Sequence, residues 1–153
     1  MSEDKKFKND KNKKENAASE KIIEPGIDID KIMADYKTLV DKANEVGLYL
    51  KNTEVKSSQF RRIFNHIKQT QTKLNKDDKE KSSDNEITGD SLKALLLIKP
   101  KMAYTAGRHP NLKYLYNLIV EFIDKIKTIN DFTKFCDFIE ATLAYHKYHG
   151  GKD

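Results

Sequence analysis

Two long stretches of this 153-residue chain carry cations and no carboxylate. Val55–Lys76 holds six basic residues, Lys56, Arg61, Arg62, Lys68, Lys73 and Lys76. Ser91–Val120 holds five, Lys93, Lys99, Lys101, Arg108 and Lys113. The acids are concentrated elsewhere, with twelve against six bases in Asp28–Glu54 and Asp77–Asp90 together. Such a distribution suits the holding of phosphates, because cations that displace counterions from a nucleic-acid backbone bind it without reading bases. Asn, Gln and Thr interleaved among the cations add neutral donors for phosphate and sugar oxygens. The plain alternative is a solvated Lys-rich face. The two readings separate on whether both stretches form one surface, a basic strip shared by the second helix and the Lys99–Arg108 corner.

Catalytic and metal-binding patterns are sparse. His146 and His149 are spaced i, i+3, but a zinc site needs about four ligands and Cys136 lies nearly three helical turns away. The spacing therefore predicts a packed, hydrogen-bonded His146 and no metal. His66 and His109 fall in the two basic stretches and are the types that shuttle protons in RNA cleavage, so a small His-dependent ribonuclease is the enzyme alternative. Nucleophile elbows, Walker loops and Gly-rich cradles are missing, and no cofactor is implied. Zinc-finger spacings, a basic zipper and an aromatic RNP strand are missing too, while short helices meeting near Gly107 leave a helix-turn-helix open. The expected mode is backbone and shape recognition, which in an A-form duplex means phosphate and 2′-OH contacts. Glu140 is a lone carboxylate beside core positions, best satisfied by an ion pair with Lys or Arg.

These side chains need a scaffold. The length fits one domain. Charged residues make up 35% and the net charge is +5, which is polar for a globular chain and basic enough to suggest an anionic partner. One cysteine excludes an internal disulfide, and the longest apolar run, Ala94–Ile98, is far too short for a membrane span. No apolar signal-peptide core marks the N-terminus, so the cytoplasm is the expected compartment.

Hydrophobic periodicity predicts an all-α fold, a single compact bundle of about five helices at residues 26–153 behind a disordered, charged tail at residues 1–25. Helix one runs from a cap at Asp28 or Asp30 to about Asn52, on a stripe from Ile29 to Leu50. Helix two, capped by Ser57 or Ser58, buries Phe60, Ile63, Phe64, Ile67 and Leu74 and turns its cations outward. Asp77–Asp90 reads as a solvated loop. Helix three opens at Asp90 or Ser91 and is apolar nearly all round (Leu92, Leu95, Leu96, Leu97, Ile98), as a buried element would be. Pro100 should end or kink it, with Lys99 pushed from helical angles and Gly107 terminating the resumed turn. Pro110 starts helix four, whose wide stripe from Leu112 to Ile126 predicts a central position. Asn130 caps helix five, which ends at Gly150-Gly151. That helix carries a second stripe, Phe138, Tyr145 and His149, which suggests a contact beyond the monomer's own core.

Three segments together resemble one family. They are Gln59-Phe60-Arg61-Arg62-Ile63-Phe64, the run from Lys99-Pro100-Lys101 to Ala106-Gly107-Arg108, and the ending in which Glu140-Ala141 is followed by Ala144-Tyr145-His146-Lys147. The chain from about residue 28 onward is similar to the small α-helical subunit of type III-A CRISPR–Cas effector (Csm) complexes. The resemblance implies a non-enzymatic, RNA-binding role in antiviral defence. Copies would stack head to tail along the crRNA–target RNA duplex, inside a filament of crRNA-binding backbone subunits, holding the duplex by its backbone without reading sequence. Cleavage of target RNA would belong to the backbone subunits, and DNA cleavage and cyclic oligoadenylate synthesis to the large subunit. Mapped onto this chain, RNA contact falls to Lys56, Arg61, Arg62 and Lys68 of helix two and to Lys99, Lys101 and Arg108 of the Pro100 corner. Tyr145, His146 and Lys147 match the family ending and are expected to pack or to meet a subunit.

Overall fold

The computed structural model of the protein describes residues 23–77 and 84–153. Most of the expected tail, residues 1–22, and the middle of the acidic loop, residues 78–83, lie outside the described residues. The fold is all-α, as the periodicity predicts. Seven α-helices are described, α1 (Ile29–Ala34), α2 (Tyr36–Asn52), α3 (Ser57–Asp77), α4 (Gly89–Leu96), α5 (Ile98–Arg108), α6 (Lys113–Lys125) and α7 (Ile129–Tyr148). A 3₁₀ turn over Pro110–Leu112 leads into α6. Among the described residues there is no strand, only an isolated bridge between Glu86 and Thr128.

Seven replace the expected five because two helices are broken. Helix one divides at Asp35, whose backbone is extended (φ −147°, ψ 119°). Its carboxylate accepts the Lys37 and Thr38 amides and the Thr38 hydroxyl, capping α2. These bonds hold its carboxyl below the usual carboxylate range, the Thr38 hydroxyl contributing most. Helix three divides at Leu97, three residues before Pro100. Pro100 thus falls in the first turn of α5, where a missing N–H costs nothing, and Lys99 is helical after all.

Other boundaries differ for identifiable reasons. Neither Ser57 nor Ser58 caps α3; the Lys56 N–H is instead bonded to Gln59 Oε1 (3.0 Å). Thr128, not Asn130, caps α7, forming a reciprocal capping box with Asp131. The acidic loop is not solvated to its end. Ile87 is buried, its N–H donates to Lys127 O (2.8 Å), and Ile129 N–H donates to Asn85 O (3.3 Å). Pro25, assigned to the tail, is fixed by the Tyr114 hydroxyl, which donates to its carbonyl (3.3 Å).

The core is centred on α7 rather than on α6. α7 packs between α2 and α3 and also meets α1, while α6 lies against α1 and α5. The Phe122 ring of α6 packs, tilted, at 5.3 Å and 5.1 Å from the rings of Phe135 and Phe138 of α7. The second stripe of α7 is therefore not spare. Phe138 is fully buried, and His149 Nε2 donates to Asn44 Oδ1 of α2 (2.6 Å). Exposed apolar surface appears instead on the helix expected to be buried. Leu92, Leu96 and Leu97 are 37, 45 and 43% exposed, and only Ser91, Leu95 and Ile98 of that segment point inward.

Candidate nucleic-acid interface

The start of α3 is where the cations meet. It is positioned by the way α2 ends. Glu54 adopts a left-handed backbone (φ 64°), letting Glu54 N–H reach Lys51 O and Val55 N–H reach Leu50 O. This pair of bonds is a Schellman ending with glutamate at the position that usually takes glycine. α7 ends the same way through Gly150 (φ 94°), with Gly150 N–H to Lys147 O and Gly151 N–H to His146 O. The two endings are joined. His146 Nε2 lies 2.6 Å from Val55 O, and Ser57 N–H donates to Lys152 O at 2.6 Å. On the other side, Asn111 Nδ2 donates to Glu54 O (3.0 Å) and Gln59 Oε1 (3.1 Å), tying the 3₁₀ turn to the start of α3.

Lys56 sits between two adjoining clefts. One is lined by Lys51, Asn52, Glu54, Val55, Lys56, Gly150 and Lys152. The other is lined by Lys56, Ser58, Gln59, Arg62, Thr105 and His109, and so joins α3 to the end of α5. The two acid-free stretches therefore do share a surface. Lys51 and Lys152 belong to it although the sequence does not single them out. Lys51 lies in an acid-rich stretch and Lys152 follows the last helix, and only the junction of the two helix endings brings them together.

The seven predicted contacts do not all join this surface. At 3.6 residues per turn, Lys101 and Arg108 fall within about 20° of each other on α5. They share a flank with Tyr104, over whose exposed ring the Arg108 guanidinium lies at 5.9 Å. Lys99 falls about 160° from Lys101, on the opposite flank. There it forms an ion pair with Asp124 of α6. Thr105 of α5 lines the α3–α5 cleft, whereas Lys101 and Arg108 do not; on the helix they fall about 40° and 60° from Thr105, on the flank away from Lys99. On α3, Arg61 and Arg62 point about 100° apart. Arg62 lines the α3–α5 cleft. Arg61 is turned toward the C-terminus, where its charge joins the Lys147 hydrogen bond and charge in holding the Asp153 carboxyl low. Lys68 is on that same side and is engaged by Glu140 of α7 (3.7 Å), Gln71 Oε1 (3.2 Å) and the Phe64 ring (5.4 Å). This is the ion pair anticipated for Glu140. Lys56, Arg62, Lys101 and Arg108 are exposed and form no ion pair among the described residues.

His146 is the packed histidine that its spacing predicts. It is fully buried, and burial pushes its pKa below the ordinary histidine value, with the Lys147 charge adding to the effect. A carbonyl only accepts, so Nε2 carries the proton donated to Val55 O, and Nδ1 is unprotonated. His109 lies in the α3–α5 cleft, half-buried. Among the described residues no three His, Cys, Asp or Glu side chains come together to hold a metal, and no helix is long and apolar enough to cross a membrane.

Comparison with known proteins adds the following. The family model for Csm2 Type III-A matches residues 33–152. A curated protein of Streptococcus thermophilus, described as CRISPR system Cms protein Csm2, is 36% identical over 58 residues. That match covers 37% of this chain and 48% of the relative, so the chain spans about half of that relative's length. No solved structure matches the chain.

Proposed function

The chain belongs to the Csm2 family, the small α-helical subunits of type III-A Csm effector complexes, and on that premise we propose that several copies lie along the crRNA–target RNA duplex and grip its backbone without reading sequence or cutting it. The observation that carries this reading is the position of Lys56 between two clefts. It links Arg62 and the end of α5 on one side to Lys51 and Lys152 on the other. Cations spread along a surface this shallow match the phosphates of a duplex better than a small substrate. The contact set is Lys56, Arg62, Lys101 and Arg108, extended by Lys51 and Lys152, with Arg61 and Lys68 at the flank nearest α7 and Lys99 outside it. Arginine at two of these positions suits bidentate grip on phosphate. The crRNA-binding backbone subunits and the large subunit are the other partners, and successive copies meet head to tail.

The test is binding to unrelated A-form duplexes of equal length over a range of salt. Lys56→Ala with Arg62→Ala is expected to weaken binding equally for every sequence. It should flatten the slope of log K against log salt by about 1.4–1.8, at about 0.7–0.9 per lost contact. No retention at low salt, or loss confined to one sequence, overturns the reading. RNA cleavage abolished by His109→Ala would make the α3–α5 cleft a nuclease site.

A further inference from the structure

Three tyrosines are exposed among the described residues, and two of them are engaged within the fold. The Tyr36 hydroxyl donates to Asp137 Oδ2 at 3.0 Å, and the Tyr148 ring lies edge-on to the His149 ring at 5.1 Å. Tyr104 of α5 is different. It is 69% exposed, its hydroxyl forms no hydrogen bond among the described residues, and its ring meets the Arg108 guanidinium alone.

The surroundings of this ring point to its partner. Lys101, Tyr104 and Arg108 fall within about 60° of arc and about 10 Å of axis on α5, with the ring between the two cations in height. On the other side of the ring stand Pro100, Ala103 and Gly107, all exposed and without a polar side chain. A Cβ at Gly107 would meet nothing within 4 Å, so that side is open. No carboxylate occurs from Ser91 to Val120. A flat ring with one side open, bordered by two cations and no acid, suits single-stranded nucleic acid, whose bases stack on aromatic rings while cations track its phosphates. An intact duplex gives Tyr104 no base to stack on along its length, because paired bases stack on one another inside the helix. We propose that this flank of α5 takes an unpaired nucleotide of the RNA, its base stacked on the Tyr104 ring and the phosphates on either side held by Lys101 and Arg108. The inference rests on the RNA reading above for the identity of the polymer, and adds an unpaired nucleotide to the grip on a duplex backbone. Every base has a π-face, so the contact accepts any base and leaves binding independent of sequence.

The test uses the full-length chain and two A-form RNA duplexes of equal paired length, one fully paired and one carrying a single bulged 2-aminopurine. Wild type is expected to bind the bulged duplex more tightly and to quench the 2-aminopurine fluorescence. Tyr104→Phe keeps both properties. Tyr104→Leu loses the quenching and about 5- to 100-fold in affinity for the bulged duplex, the worth of one base on an aromatic ring, and binds the paired duplex as wild type does. That loss is the same at every salt concentration, since stacking releases no counterion, whereas Arg108→Ala flattens the salt slope on both duplexes. The side chain being exposed, the Tyr104 variants fold, which helicity and melting verify. Equal affinity of wild type for the two duplexes, unquenched 2-aminopurine, or a preference that survives in Tyr104→Leu overturns the proposal and leaves the duplex grip standing. Tyr104→Leu weakening both duplexes alike overturns it in favour of a plain backbone contact. Normal binding of both duplexes by that variant, with only its contacts to other protein chains altered, overturns it in favour of a protein partner. No retention of either duplex at low salt sinks the RNA reading and this proposal with it.

Discussion

His146 and Val55 are 91 positions apart, yet the Nε2–H of one donates to the carbonyl of the other across 2.6 Å. This bond locks the end of α7 onto the turn that aims Lys56, so the candidate interface depends on a neutral, buried imidazole. Burial holds the folded pKa below the unfolded value of about 6.5. Below pH ~6.5 the unfolded chain binds more protons than the folded one, so stability falls as pH falls through that value toward the folded pKa. The melting temperature is expected to be level near neutrality and to drop on acidification, with a limiting contribution of about 1.4 kcal/mol per pH unit from this one group. In His146→Gln the part of the slope due to this group should vanish, while stability at pH 7 falls by about 1–3 kcal/mol for the disrupted buried bond. An unchanged slope in that variant would remove His146 as its source.

Gly47 is set by the same junction. Composition alone marks it as a weak spot in a helix. In the fold it is where α2 crosses α7 with backbone against backbone. A Cβ there would lie 2.8 Å from His146 N and from Tyr145 Cβ and 3.0 Å from Thr142 O. Backbone cannot step aside as a flexible side chain can. Gly47→Ala should therefore destabilise by about 1–3 kcal/mol despite alanine's better helix propensity. Urea denaturation at pH 7 checks this, and a stabilised variant would show that the two helices can separate at no cost.

Glu54 predicts the opposite sign. It holds a left-handed backbone at the position that ends α2, where a side chain is strained and glycine is not. Glu54→Gly should stabilise by roughly 0.5–1 kcal/mol, the relieved strain exceeding the added freedom of the unfolded chain. It also removes the one carboxylate lining the Lys51–Lys56–Lys152 cleft. RNA affinity should thus rise together with thermal stability, and a rise in one without the other would separate the two roles.

Cys136 is buried in α7, and burial pushes its thiol up to about 12. Since the thiolate is the reactive form, a thiol reagent at pH 8 is expected to leave the native protein unlabelled and to react fully in denaturant. Prompt labelling of the native chain would mean that α7 opens far more readily than its packing implies.

How much of this was legible in the sequence depends on the distance over which each feature is decided. Local signals did well. The cation-bearing face of α3, the 3₁₀ turn opened by Pro110 and the glycine ending of α7 all follow from spacing within a few residues. The break at Asp35 is also local, but it falls inside an unbroken apolar stripe, and a stripe does not reveal that the chain has turned. The leucines of α4 show the other limit, because an all-apolar helix looks buried whether or not the fold supplies a cover. For the proposed interface, the cations of α3 were legible from spacing, and the side chains that surround them were not. Lys99 is paired with a carboxylate 25 positions away, and Lys51 and Lys152 join Lys56 in one cleft through a junction between the two helix endings, neither of which a local pattern reveals.

The comparison of Arg62 with Lys99 tests the membership directly. Both are cations in the acid-free stretches, and a reading by charge alone would give them equal weight. Arg62 is exposed in the α3–α5 cleft beside Lys56. Lys99 lies on the far flank of α5, engaged by Asp124. An ammonium already paired with a carboxylate displaces no counterion from RNA unless that pair is broken first. Arg62→Ala is expected to flatten the salt slope of duplex binding by about 0.7–0.9 and to leave thermal stability nearly unchanged. Lys99→Ala should leave the slope unchanged and cost at most about 1 kcal/mol of stability, the usual worth of a partly exposed ion pair. Lys101→Ala and Arg108→Ala, exposed on the flank of α5 away from Lys99, should behave as Arg62→Ala does. Equal slopes for the Arg62 and Lys99 variants would mean that RNA wraps the whole of α5, and the interface would then have to be redrawn around that helix.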